Sequence, residues 1–199
     1  MSSPLAVKQA ISSIVNQVND RIYGDALTDL IDLYNSLKIS FFIYNSSDFK
    51  PALIEKLFLN LIPLLEFQTK LFKKALDQYI RHWFALCISY CPDYLLTLIK
   101  TIHQKIERPY VSTYLLEVMT NLVPTFPLQK QIEEIPFIQK LIFACPPQYL
   151  TSIDDNIWNL LLCNMSEQDI TDLAMFSSTI EDPKVAIKLA QKSPEKALP

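Results

Sequence analysis

QTKLFKKALDQYIRHWFALCISYC (residues 68–91), PDYLLTLIKTIHQKIER (92–108) and PYVSTYLLEVMTNLV (109–123) form the stretch on which the fold turns. In the first segment Leu71, Phe72, Ala75, Leu76, Tyr79, Ile80, Trp83, Phe84, Cys87 and Ile88 recur at three- and four-residue spacing. That is the period of a helix with one wide apolar stripe, and a wide stripe implies contact with helices on more than one side. The spacing predicts a helix over 69–90, expected to be the most buried of the chain. Pro92-Asp93 and Pro109 punctuate the stretch, because proline opens a helix well and breaks one later on. Asp93 is the expected N-cap of the following helix, over 93–107.

Working outward toward the N-terminus, Val7, Ile11, Ile14, Val15, Val18 and Ile22 predict a helix over 4–22, stopped at Gly24. A second helix over 25–43 carries Leu27, Leu30, Ile31, Tyr34, Leu37 and Phe41 on one face. Asp29 and Asp32 are directed elsewhere, as acids that suit a helix start. Asn45-Ser46-Ser47-Asp48 is a polar loop. Pro51 opens a third helix, which Pro63 should kink or end near Leu61.

Toward the C-terminus, Pro124 and Pro127 close the helix that begins at Pro109. Pro136 splits 128–143 into two short helices, and Pro146-Pro147 is a hard break. Ser152 to Asp155 and Ser166 to Asp169 resemble capping boxes for two more helices. Asp182-Pro183 reads as the start of another, and 193–199 as a frayed tail. The chain thus reads as a single all-α domain over 1–192 with about ten helices. No segment alternates apolar and polar residues between turn glycines, so no strand is expected.

Short connections make successive helices pack antiparallel. The breaks near Ser47, Cys91, Pro127 and Ser166 are 44, 36 and 39 residues apart, close to the roughly 40–47 residues of HEAT and armadillo helix pairs. Antiparallel pairs stacked as an α-solenoid are the expected architecture, with an irregular helical bundle as the alternative.

Composition excludes whole classes of chemistry. The single glycine, Gly24, removes the glycine-rich phosphate loops of nucleotide-binding folds. A net charge of −3 gives no global attraction to nucleic acid or anionic lipid. The longest apolar runs, such as Ile39–Tyr44, fall far short of the ~20 residues of a membrane-spanning helix. No signal peptide is evident at the N-terminus. An intracellular setting, cytoplasmic or nuclear, with Cys87, Cys91, Cys145 and Cys163 reduced, is therefore expected.

His82, Cys87, Cys91 and His103 bring two thiols and two imidazoles into one predicted hairpin. Zinc sites draw their cysteine pairs from turns, where ligands converge, whereas these cysteines sit on an apolar helix stripe, where a thiol packs as a small hydrophobe. Glu-x-x-His, the mark of di-iron bundles, is absent. No catalytic, metal or cofactor residue is assigned, and a non-enzymatic protein is expected.

Charge is unevenly distributed. Residues 68–108 hold seven Lys/Arg against three Asp/Glu, and 109–199 hold six Lys against eleven Asp/Glu. Lys70, Lys73, Lys74, Arg81, Lys100, Lys105 and Arg108 form a candidate partner-binding basic patch. Its targets would be RNA or the ribosome, an acidic protein, or a membrane surface.

The segment LFKKALDQYIRHWFALCISYCPDYLLTLIKTIHQKI resembles a HEAT repeat. Leu71, Leu76, Ile80, Pro92, Asp93, Leu95, Leu96 and Ile99 take the roles of the first helix, tight turn and second helix. Lys100 or Lys105 takes that of the late basic residue. At the level of pattern the resemblance covers roughly 50–165, and the layout is similar to N-terminal segments of very large HEAT scaffolds. It implies a non-catalytic scaffold or regulatory subunit, whose concave helical face binds a protein partner such as a large complex.

Overall fold

A computed structural model of the chain describes residues 4–42, 51–66 and 70–177. Those residues form ten α-helices and three short 3₁₀ segments, with no strand among them. Asn45–Asp48, the Asp182-Pro183 start and the 193–199 tail lie outside the described residues. The chain divides into two compact units, Met1–Ile106 and Glu107–Pro199.

In the first unit, α1 (Pro4–Asn19) buries Val7, Ile11, Ile14 and Val18, one stripe at three- and four-residue spacing. It stops at Asn19, five residues before Gly24. The N–H of Ile22 bonds the Gln17 carbonyl and that of Arg21 the Val18 carbonyl, which is the Schellman closure. Its left-handed position is Arg21, at φ 63°. Gly24, expected as the stop, lies instead in the first turn of α2 (Tyr23–Phe42). Ile22 is 47% exposed.

Helix α2 buries Ala26, Leu30, Leu33 and Leu37. This stripe is rotated from the expected one, since Ile31 is exposed and Leu27 and Tyr34 are half-buried. Proline governs the next elements. Pro51 opens α3 (Pro51–Leu61), and Pro63 falls inside a 3₁₀ segment, Ile62–Glu66. The α-ladder therefore ends at Leu61, as a late proline requires.

Helix α4 (Lys70–Tyr90) leads to α5 (Pro92–Lys105) with only Cys91 between them. The N-cap of α5 is Cys91, not Asp93, and its side chain makes no capping bond. Pro92 in the first turn has no N–H to satisfy and supplies a helical φ. Asp93 falls in that first turn, where its charge suits the dipole.

Aromatic rings knit this unit. Phe58 of α3 stacks on Phe84 at 4.4 Å and meets Trp83 edge-on at 6.4 Å. Tyr34 of α2 lies 4.7 Å from Tyr79 and 5.8 Å from Trp83. Helix α1 packs on α2 and α3, α2 on α4, α3 on α4 and α5, and α4 on α5. Each of the first three helices thus touches its next-but-one neighbour. The Tyr94 hydroxyl donates to the Pro51 carbonyl at 2.7 Å, and Lys105 Nζ meets Glu55 Oε1 at 2.6 Å. Both ties join α5 to α3, in the same order along the two helices.

In the second unit, α6 (Pro109–Leu122) buries eight of its fourteen residues, including Val111, Leu115, Met119 and Leu122. Helix α6, not α4, is therefore the more buried, because its only charged residue is Glu117 whereas α4 carries a charged face. After a 3₁₀ segment, Val123–Thr125, come α7 (Leu128–Glu133) and α8 (Ile135–Ala144), parted at Glu134 with Pro136 in the first turn of α8. The expected break by Pro136 is present.

A 3₁₀ segment, Pro147–Ser152, precedes α9 (Asp155–Asn164) and α10 (Glu167–Ser177). The cap of α9 is Asp154, which accepts from the Asn156 N–H at 2.8 Å, while Ser152 belongs to the 3₁₀ segment. Ser166 and Asp169 do form a reciprocal box. The Asp169 N–H donates to Ser166 Oγ, and the Ser166 N–H donates to Asp169 Oδ2, each at 3.1 Å. Helix α6 packs on α8, and α9 on α7 and α8, around fully buried Trp158.

Candidate interaction surface

Helix α4 spans the first unit with two unlike faces. Phe72, Leu76, Ile80, Trp83, Phe84 and Cys87 are buried. At about 100° per residue, Lys73, Lys74, Asp77 and Arg81 fall within about 100° of one another on one flank of that buried stripe. Lys73, Lys74 and Arg81 are exposed, and Lys70 is the first residue of the helix. Beside them Leu71, expected in the apolar stripe, is 82% exposed.

Arg81 Nε donates to Asp77 Oδ2 at 2.9 Å, an i,i+4 pair that spends part of its charge locally. Such exposed pairs contribute about 0.3–0.5 kcal/mol and hold the guanidinium rather than bury it.

The remaining basic positions do not extend this face as one surface. Lys105 is turned to Glu55 of α3. Lys100 and Lys105 are five residues apart, about 140° around α5, so they flank its exposed side rather than share it. Arg108 is exposed and caps α6 at the start of the second unit. Lys73, Lys74 and Arg81 are therefore the part of the candidate patch that the fold brings together.

The thiols and imidazoles separate. Cys87 and Cys91 are both buried. The hydrogen bond from the Cys87 thiol to Cys91 holds Cys87 well above the ordinary thiol range, with burial and the Cys91 charge adding to it. The same bond lowers Cys91. His82 is exposed, its ring 5.9 Å from that of Tyr34. Among the described residues no three His, Cys, Asp or Glu side chains converge on a point that could hold a metal ion. Cys145 is pushed up to about 11 by burial, and Cys163 is exposed. No helix among the described residues is long and apolar enough to cross a membrane.

The chain matches no family model, no curated protein and no solved structure.

A second surface feature has no counterpart in the basic patch. Ala6, Gln9, Ala10 and Ser13 of α1 face Asp29, Asp32 and Ser36 of α2 across an open groove of about 400 Å³, with Val7 and Leu33 also lining it. Asp29 is fixed from the opposite helix. Its Oδ2 accepts from Ser13 Oγ at 2.8 Å and from Gln17 Nε2 at 3.0 Å. The sequence signal for this groove is faint. Small residues at 6, 10 and 13 leave room on one flank of α1, but which flank meets α2 is a tertiary matter.

Proposed function

We propose that the protein is a non-catalytic interaction module whose helices present a charged surface to an acidic segment of a protein partner. The exposed cationic face of α4 carries this reading. Lys73, Lys74 and Arg81 stand together on one flank of a helix whose buried stripe is locked into the aromatic core. A face so anchored keeps its charges in register, which favours encounter with a complementary partner and disfavours a like-charged one. Exposed Leu71 on the same helix adds an apolar anchor beside the charges.

We further infer that the first unit is a HEAT-like stack. Two observations support it: the next-but-one contacts α1–α3, α2–α4 and α3–α5, and the 43 residues that separate Tyr94 from its partner Pro51. That separation is close to one helix-pair repeat. The intracellular setting rests on the four unpaired thiols.

The test compares the full chain with Lys73→Glu/Lys74→Glu, each immobilised and exposed to native lysate with and without nuclease, after circular dichroism has matched their helicity. Proteins with acidic segments should be retained by the wild type, lost from the variant and unaffected by nuclease. Retention of the same proteins by the variant would remove the α4 face from the function. Loss on nuclease treatment would transfer the face to nucleic acid, the reading in which the lysines meet phosphates.

A further inference from the structure

We propose that the groove between α1 and α2 receives an arginine or lysine side chain carried by a partner polypeptide. Its aliphatic stem would lie along Val7, Ala10 and Leu33, and its cationic head between Asp29 and Asp32. This goes beyond the α4 reading and uses a different surface of the same unit.

Three features of the groove specify that occupant. First, the floor is apolar and the rim is acidic. Val7 and Leu33 line the bottom, Asp29 and Asp32 stand three residues apart on one face of α2, and no basic residue is among the lining. A long cationic side chain has the same two-part character, an apolar stem and a charged end.

Second, no cation among the described residues is set against these carboxylates. The ion pairs Arg81–Asp77 and Lys105–Glu55 engage other acids of this unit. No described basic side chain pairs with Asp29 or Asp32. Two like charges at i,i+3 repel on a helix surface, a cost that a shared cation removes.

Third, the site is set before any partner arrives. Ser13 and Gln17 reach across from α1 and hold Asp29 by one oxygen, so little ordering is left to be done on binding. A guanidinium in particular can address two carboxylates with its forked donors.

The experiment follows backbone amide shifts of the full chain during titration with a short peptide carrying one arginine among serine and alanine. Twin peptides with norleucine or glutamate at that position, and free spermidine, serve as comparisons. The arginine peptide should shift amides of residues 6–13 and 29–36 saturably, with the norleucine and glutamate twins at least tenfold weaker. Asp29→Asn/Asp32→Asn should weaken binding at least tenfold. Asp32→Asn alone, which breaks no hydrogen bond of the fold, should weaken it severalfold.

Lys73→Glu/Lys74→Glu should leave this binding unchanged, so failure here and failure of the α4 reading are distinguishable. Equal binding of the norleucine twin, or shifts spread equally over the acids of α10, would overturn the proposal. So would spermidine matching the peptide, since that would assign the groove to free cations.

Discussion

The end of α1 offers the sharpest test of the physical reasoning, because the only glycine of the chain sits three residues from where the backbone calls for one. Arg21 occupies the left-handed region at φ 63°, a conformation that costs a residue with a Cβ roughly 1–2 kcal/mol. Arg21 is exposed, so its side chain offers little in return. Arg21→Gly should release that strain. Against this stands the larger backbone entropy of an unfolded glycine, about 0.5–1 kcal/mol. The net gain expected is about 0.5–1 kcal/mol, or roughly 2–4 °C per kcal/mol in Tm for a chain of this length.

Gly24 is the complementary case. It lies in the first turn of α2, and an added Cβ would meet no atom within 4 Å. Gly24→Ala should stabilise by up to about 0.5–1 kcal/mol, toward the low end in a first turn. Urea denaturation of each variant at fixed pH measures both. Arg21→Ala is the control: it keeps the left-handed strain and should sit within about 0.3 kcal/mol of wild type, since exposed substitutions are close to neutral. If Arg21→Gly is no more stable than Arg21→Ala, the Schellman closure described above is not the structure of that turn.

Trp83→Ala should cost about 3–5 kcal/mol in chemical denaturation. Trp83→Phe should cost less than half as much, because it keeps a ring against Phe58 and also removes a buried indole N–H that has no acceptor. Ser166→Ala should cost about 1 kcal/mol near neutral pH through loss of the cap. The Ser166 hydrogen bonds hold the Asp169 carboxyl below its ordinary range, so their stabilisation is present above about pH 4 and lost as pH falls through the folded value. The Ser166→Ala penalty should therefore shrink in acid, as thermal melts from pH 7 to pH 3 would record. A thiol reagent at neutral pH should label one cysteine of the native chain quickly, the exposed Cys163, and reach buried Cys87, Cys91 and Cys145 only when the chain opens.

What the sequence disclosed is what proline and periodicity dictate locally. Pro51, Pro92, Pro109 and Pro136 each fall in the first turn of a helix, since a fixed φ and a missing N–H act on their own residue whatever the tertiary context. The end of α4 at Tyr90 was readable for the same reason, from Pro92 two residues on. Caps were less legible. Asp93 has the right chemistry for an N-cap, but Pro92 already supplies the helix start, so the cap position falls on Cys91 and needs no side-chain acceptor. The buried stripe of α2 is not legible in the sequence because Leu27, Leu30, Ile31 and Leu33 spread apolar surface over about 160° of the helix. Periodicity alone does not say which arc meets α1 and α4. The buried arc through Ala26 and Leu33 is selected by the partners, and Ile31 is left in solvent.

Surfaces are harder to read than cores, and the two candidate surfaces show why. The basic run of 68–108 is visible in composition, yet its meaning depends on where each charge is directed. Asp77 and Arg81 are four apart, and their pairing is legible from helical spacing. Glu55 and Lys105 are 50 residues apart, so only the packing of α3 on α5 withdraws Lys105 from the patch. For Asp29 the inversion is larger. In the sequence it is one of two acids near a helix start, suited to the macrodipole and in need of no further role. In the fold it is gripped by Ser13 and Gln17 of the neighbouring helix and stands over a groove. The same residue is thus a helix-stabilising charge at the level of α2 and a preorganised acceptor at the level of α1 and α2 together. Only the second level bears on the proposed partner, because packing decides which faces of a helical chain stay uncovered.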